Sequence, residues 1–179
     1  VDFDPKSTVF KMKSGVYRNA YIVKLDSNKN FIWAKQLKAN SAQGATINDL
    51  IVDKDENVYL SGYWSSSVDF DPGAGVKNYS SEPDAYRTFI MKLDQNGEFA
   101  WLRFIQSSVD PKDQCYTNQM ELGDKLNVYL TVGLPKGAIA SNGIGDTISE
   151  DILIKGPFSS SNNKLKIFLI TYNQEGTLT

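Results

Sequence analysis

Val68-Asp69-Phe70-Asp71-Pro72 repeats, residue for residue, the five residues Val1-Asp2-Phe3-Asp4-Pro5. Each copy is followed by a second related segment, Tyr21-Ile22-Val23-Lys24-Leu25-Asp26 with Trp33 downstream, and Phe89-Ile90-Met91-Lys92-Leu93-Asp94 with Trp101 downstream. The two Val residues lie 67 apart and the two Trp residues 68 apart. Further along, Thr46-Ile47-Asn48 and Asn57-Val58-Tyr59-Leu60 match Tyr116-Thr117-Asn118 and Asn127-Val128-Tyr129-Leu130 at an offset of 70. A third copy of the Lys-Leu-Asp segment stands at Phe168-Leu169-Ile170-Thr171-Tyr172-Asn173, offset by 79 from the second. A fixed period of this length marks an array of one supersecondary unit, each copy needing its neighbour to cover its apolar face.

Within the best copy the pattern is that of four short strands. Asn48 to Val52 is the first and Asn57 to Trp64 the second, joined by the polar turn Asp53-Lys54-Asp55-Glu56. A long connection carries the Val-Asp-Phe-Asp-Pro element, and Thr88 to Leu93 and Glu98 to Ile105 form the third and fourth strands. Asp94-Gln95-Asn96-Gly97 between them is a hairpin turn, and Asn96-Gly97 is the strongest such signal in the chain, since both residues tolerate the positive φ that these turns require. In the first copy Lys29 replaces that Gly and must accept an unfavourable φ or sit in another turn type. The third strand is apolar on both faces, with Phe89, Met91 and Leu93 on one side and Ile90 on the other. Such a strand lies between stacked sheets. The expectation is an all-β chain of β-propeller blades, each of four antiparallel strands, with about two and a half blades present. The repeat units are 1–45 (partial), 46–115, and 116–179 (partial, with an inserted loop at 134–163). A β-sandwich from the same strands is the alternative, but it needs no duplicated unit.

The units resemble the bacterial β-propeller repeats often called SBBP repeats, in the version with Asp-Phe-Asp-Pro-Gly after the second strand. Asn57-Val58-Tyr59-Leu60-Ser61-Gly62, Val68 to Gly73, and Phe89 to Trp101 carry the likeness. The third copy departs from it, with no Asp-Phe-Asp-Pro element and a Ser- and Asn-rich stretch, Ser159-Ser160-Ser161-Asn162-Asn163. The resemblance implies a secreted or cell-surface bacterial protein and no shared enzymatic activity.

Composition narrows the chemistry. The 179 residues carry 19 basic and 21 acidic side chains and no histidine. Absence of His removes Ser-His and Cys-His nucleophile systems and imidazole metal sites. No basic stripe suggests nucleic acid, and no apolar run approaches the roughly 20 residues of a membrane helix. Neither a nucleic-acid partner nor membrane insertion is expected. Cys115, the one cysteine, aligns with Ala45 and reads as a small buried filler.

Three constellations have a functional reading beside a structural one. Asp69 and Asp71, two apart in extended chain, would face one space and could hold calcium with loop carbonyls. The structural alternative gives their oxygens to loop amides, and recurrence as Asp2 and Asp4 favours it. Trp64 has no counterpart in the repeat and could face a glycan or peptide, or shield the core edge. The turns at Asp53 and Asp94 lack the glycine and distal glutamate of a calcium loop and read as polar hairpin turns. No enzyme is expected, and no cofactor apart from the possible calcium. The chain reads as a scaffold or interaction module that binds protein or glycan through the long connections 68–87 and 134–163. Two alternatives remain: part of a propeller hydrolase or lyase with active residues in other blades, and a calcium-stabilised structural repeat. Two and a half blades cannot close, which would leave apolar faces and strand edges uncovered. The expected partners are therefore the remaining blades of a longer chain, or another protein.

Overall fold

The computed structural model describes residues 2–4, 6, 9–13, 15–41, 43–82, 85–107, 115–123, 127–134, 138–141, 151–153 and 166–178. Among them lie thirteen strands and no helix. They are β1 (Ala20–Leu25), β2 (Phe31–Ala39), β3 (Ala45–Val52), β4 (Val58–Trp64), β5 (Ser67–Asp69), β6 (Asn78–Ser80), β7 (Arg87–Leu93), β8 (Phe99–Ser107), β9 (Tyr116–Leu122), β10 (Val128–Leu134), β11 (Ala138–Ser141), β12 (Asp151–Leu153) and β13 (Lys166–Tyr172). No helix long and apolar enough to cross a membrane occurs among the described residues.

The four strands expected of the central unit are β3, β4, β7 and β8, an antiparallel meander in consecutive order. The related hairpin β1–β2 belongs to a different sheet, and β9, β10 and β13 form a third. The repeated segments therefore stack and do not pair in one continuous sheet. The described strands do not close into a ring.

Burial follows the alternation read from the sequence. Phe89, Met91 and Leu93 enter one apolar cluster with Ile22, Leu37, Leu60, Phe70 and Phe104. Ile90, on the opposite face of the same strand, enters a second cluster with Tyr59, Trp101, Ile105, Val128, Leu130 and Tyr172. The first cluster joins the first and central units, and the second joins the central and third. At these two junctions the apolar faces are removed from water by the neighbouring copy, which supplies the main driving force for stacking. Ala45 and Cys115 occupy equivalent buried positions, one in each cluster.

Each unit is also clasped to the one before it. The hairpin β5–β6, inserted between β4 and β7, pairs through Val68 and Asp69 with Ala39 and Lys38 of β2. One repeat later, β11–β12 pairs with β8 through Ile139 to Gln106 and Ala138 to Ser107. In the first copy the bridge Asp2 to Lys11 stands where Asp69 pairs with Asn78. The hairpin is thus a structural device of the repeat, and it survives in the third copy without the Asp-Phe-Asp-Pro element. The inserted loop expected at 134–163 contains β11 and β12, while 142–150 and 154–165, including the Ser- and Asn-rich stretch at 159–163, lie outside the described residues.

The hairpin turn expected at Asp94-Gln95-Asn96-Gly97 is present. The backbone bonds Asp94 N–H to Glu98 O and Gly97 N–H to Asp94 O define a three-residue loop, with a register shift at Lys92/Leu93. Among these residues Gly97 alone has positive φ, at 76°. This is a type I turn closed by a left-handed residue and a bulge. Lys29 takes the same place in the first copy at φ 63°, so it accepts the unfavourable backbone.

Candidate functional site

The repeat explains most of the polar residues that the sequence brings forward. Asp26, Asp53, Asp94 and Asn173 open four equivalent turns. One side-chain oxygen of each accepts the amides two and four residues later, at 2.7–3.1 Å. Burial pushes the Asp53 carboxyl up, but hydrogen bonds from Asn57, the Asp55 amide and the Tyr59 hydroxyl outweigh it, leaving the group below its ordinary range. Burial, then the neighbouring Asp53 charge, raises the Tyr59 hydroxyl far above its ordinary value.

Asp69 and Asp71 serve their own hairpin. Asp69 Oδ1 accepts the Asp71 and Lys77 amides at 3.0 and 2.8 Å, and Asp71 Oδ1 accepts the Gly73 amide at 2.8 Å. Asp2 and Asp4 make the same bonds, to the Asp4, Phe10 and Lys6 amides at 3.1, 3.0 and 2.8 Å. The pair is accounted for by the backbone it folds, and among the described residues no group of three or more His, Cys, Asp or Glu comes together as a metal site.

Trp64 does not present a face to a ligand. Its side chain is wholly buried at the end of β4, with the Phe70 and Phe104 rings 5.5 and 5.3 Å away and the Arg87 guanidinium 5.9 Å from the indole. Of the two readings given for Trp64, this burial fits the shield at the core edge and leaves no ring face for a glycan or peptide. The hairpin that folds back from β4 brings Phe70 over it. About two thirds of the connection expected at 68–87, its residues 68–80, is spent on that cover and on the clasp to β2.

The two other Trp residues share one type of hydrogen bond. Trp33 Nε1 donates to Gln95 O at 3.1 Å, and Trp101 Nε1 donates to Gln174 O at 2.7 Å. In each case the indole of one unit lies on the third-to-fourth-strand turn of the next. A Cβ placed on Gly97 would stand 3.1 Å from the Trp33 indole, and one on Gly176 would stand 2.7 Å from that of Trp101.

Among the described residues, one open surface lies beside β1. A groove of about 560 Å³ runs along the edge of this strand, lined by Ile22, Lys24, Leu25, Trp33, Leu50, Val52, Glu56 and Val58 among others. Lys24 Nζ meets Glu56 Oε2 at 2.6 Å across it and donates to Gln95 O at 3.2 Å. Leu50 and Val52 project into water at 43% and 49% exposure, whereas Met120, the counterpart of Leu50, is 4% exposed at the next junction. Sequence reasoning expected uncovered apolar faces but named none of these residues. The signal was the match of β1–β2 to β7–β8, the second half of the central unit.

A search of protein-family models and of curated proteins finds no match to the chain.

Proposed function

We propose that this chain is a non-enzymatic repeat scaffold whose units are propeller-type blades of four strands, and that it engages protein through the β1 edge, which no second strand pairs among the described residues, and its apolar groove. The recurrence of the Trp-to-turn hydrogen bond at both junctions carries the blade reading. Blades related by one operator repeat their junction contacts, as these do. Burial of Trp64 and of the aspartates in repeat architecture leaves the groove as the surface best built for recognition. An unpaired strand edge flanked by apolar side chains recruits an extended polypeptide: main-chain groups supply hydrogen bonds and side-chain pockets supply register. It offers little to a sugar, which needs an exposed aromatic face ringed by polar groups. Secretion or display on a bacterial surface accords with this role and rests on the sequence resemblance.

The test is selection of peptides and glycans on the full chain, compared with the double variant Leu50→Glu, Val52→Glu. Both positions are exposed, so the variant folds with stability within about 0.5 kcal/mol of the parent. Extended peptides with alternating apolar residues are expected to bind the parent and lose affinity for the variant. Ligands indifferent to the change would overturn the reading.

A further inference from the structure

We infer that the β1 groove is the receptor for a β-hairpin of this same repeat type, the counterpart of β3–β4, whose second strand pairs with β1 and sets a Tyr against Trp33. The inference rests on the blade reading and names the groove's occupant. The chain contains the filled version of the site for comparison. In the central unit β7, the counterpart of β1, pairs with β4 over seven residues, from Val58 opposite Leu93 to Trp64 opposite Arg87. Among the described residues β1 pairs with β2 alone.

The side chains give the same answer. Trp101 receives the Tyr59 ring edge-on, with centroids 6.0 Å apart, while Trp33 stacks on no ring among the described residues. Lys92 Nζ stands over the Tyr59 ring at 5.1 Å. Its counterpart Lys24 instead spans the empty edge to Glu56. An incoming Tyr would therefore meet both a bare indole and an ammonium already aimed across the site, and cation–π attraction strengthens as the pair is desolvated. The first strand of the incoming hairpin would cover Leu50, as the central unit covers Met120. The sequence Asn-Val-Tyr-Leu, found at 57–60 and again at 127–130, is the recognition element this geometry specifies.

The experiment uses the repeat's own register. Val1 corresponds to Val68, so a copy of residues 45–67 joined directly ahead of Val1 presents the hairpin through its natural junction. Amide hydrogen exchange on the full chain with and without this extension reads the result. Protection of Ala20–Leu25 is expected to rise about tenfold or more, with the melting temperature, since amides closed by pairing exchange only on opening. An extension carrying Tyr59→Ala within the copied segment should lose most of the gain, and one with scrambled sequence all of it. Unchanged exchange in β1, or equal protection from the scrambled extension, overturns the inference. This readout needs no external ligand. Its failure is therefore distinct from failure of the peptide selection, which depends on Leu50 and Val52.

Discussion

At the scale of single residues, the turn position shared by Lys29, Gly97 and Gly176 shows two constraints separated by the chain itself. All three have left-handed backbone, at φ 63°, 76° and 76°. Gly97 and Gly176 also lie under an indole, which Lys29 does not among the described residues. An L-residue at such φ costs about 1–2 kcal/mol, and glycine loses about 0.4–1 kcal/mol more in unfolded-chain entropy. Lys29→Gly is accordingly expected to raise stability by about 0.5 kcal/mol. Gly97→Ala combines strain with a Cβ 2.8 Å from Lys35 Cε and 3.1 Å from the Trp33 ring. It should lower stability by about 2 kcal/mol, measured by denaturant unfolding. Acid dependence is decided at the neighbouring aspartates. Asp53 and Asp26 titrate below their ordinary range when folded, Asp53 against the opposing effect of burial and Asp26 chiefly through the Asn30 side chain. The stability they contribute is therefore complete above the unfolded value of about 3.9 and is lost as pH falls through the folded value. Asp53→Asn keeps an oxygen for the turn amides, as Asn173 does in the third unit. It should lower the melting temperature at pH 7 and flatten its decline below about pH 4.

At the scale of elements, β3, β4, β7 and β8 were legible because their apolar alternation is local and the repeat shows it twice. β5–β6 and β11–β12 were not. Each strand has three or four residues, too few for a period, and the partner of β5 and of β11 outside the hairpin lies in the preceding unit. Trp64 kept two readings, core-edge shield and ligand-facing aromatic, for the same reason: its cover arrives with Phe70, from a hairpin whose return over β4 no local pattern encodes. Asp69 and Asp71 were ambiguous because a carboxylate pair two residues apart suits an amide turn and a cation equally. The recurrence at Asp2 and Asp4 leaned to the turn, and the duplicated bonds accord with it. Of the groove, only the uncovered apolar face was foreseeable, from strand counting. The clasp gives its own prediction. Asp69→Ala removes the acceptor for two amides, and the expected loss is about 1–3 kcal/mol, with faster proteolysis between β5 and β6. Since these oxygens serve amides, a chelator should leave the melting temperature of the parent unchanged. A drop would return Asp69 and Asp71 to the calcium reading.

At the scale of the whole molecule, the central unit is packed on both faces by described residues, and each outer unit is packed by them on one. Ile22, Ile90 and Leu169 occupy one repeat position, facing the following unit. Ile90 is fully buried, and Ile22 nearly so, against their neighbours, while Leu169 is 63% exposed. Stability in such a stack is a sum of unit and junction terms, so it should grade along the chain. The slowest amide exchange is expected in β4 and β7, whose side chains are buried almost throughout, and faster exchange in β1 and β13. The junction residues convert this gradient into a test. Trp101 is buried against Tyr59, Tyr172 and the turn at Gln174, so Trp101→Ala should cost about 3 kcal/mol. That loss should fall on the junction it holds. β9, β10 and β13 should lose protection while β4 and β7 retain theirs, because Leu60, Phe89, Met91 and Leu93 belong to the other cluster. Trp33→Ala should act on β1 and β2 instead, and less strongly, since Trp33 is only partly buried. Uniform loss of protection after either substitution would mean that the sheets unfold as one body. The clasps β5–β6 and β11–β12 would then outweigh the indole contacts in coupling the units.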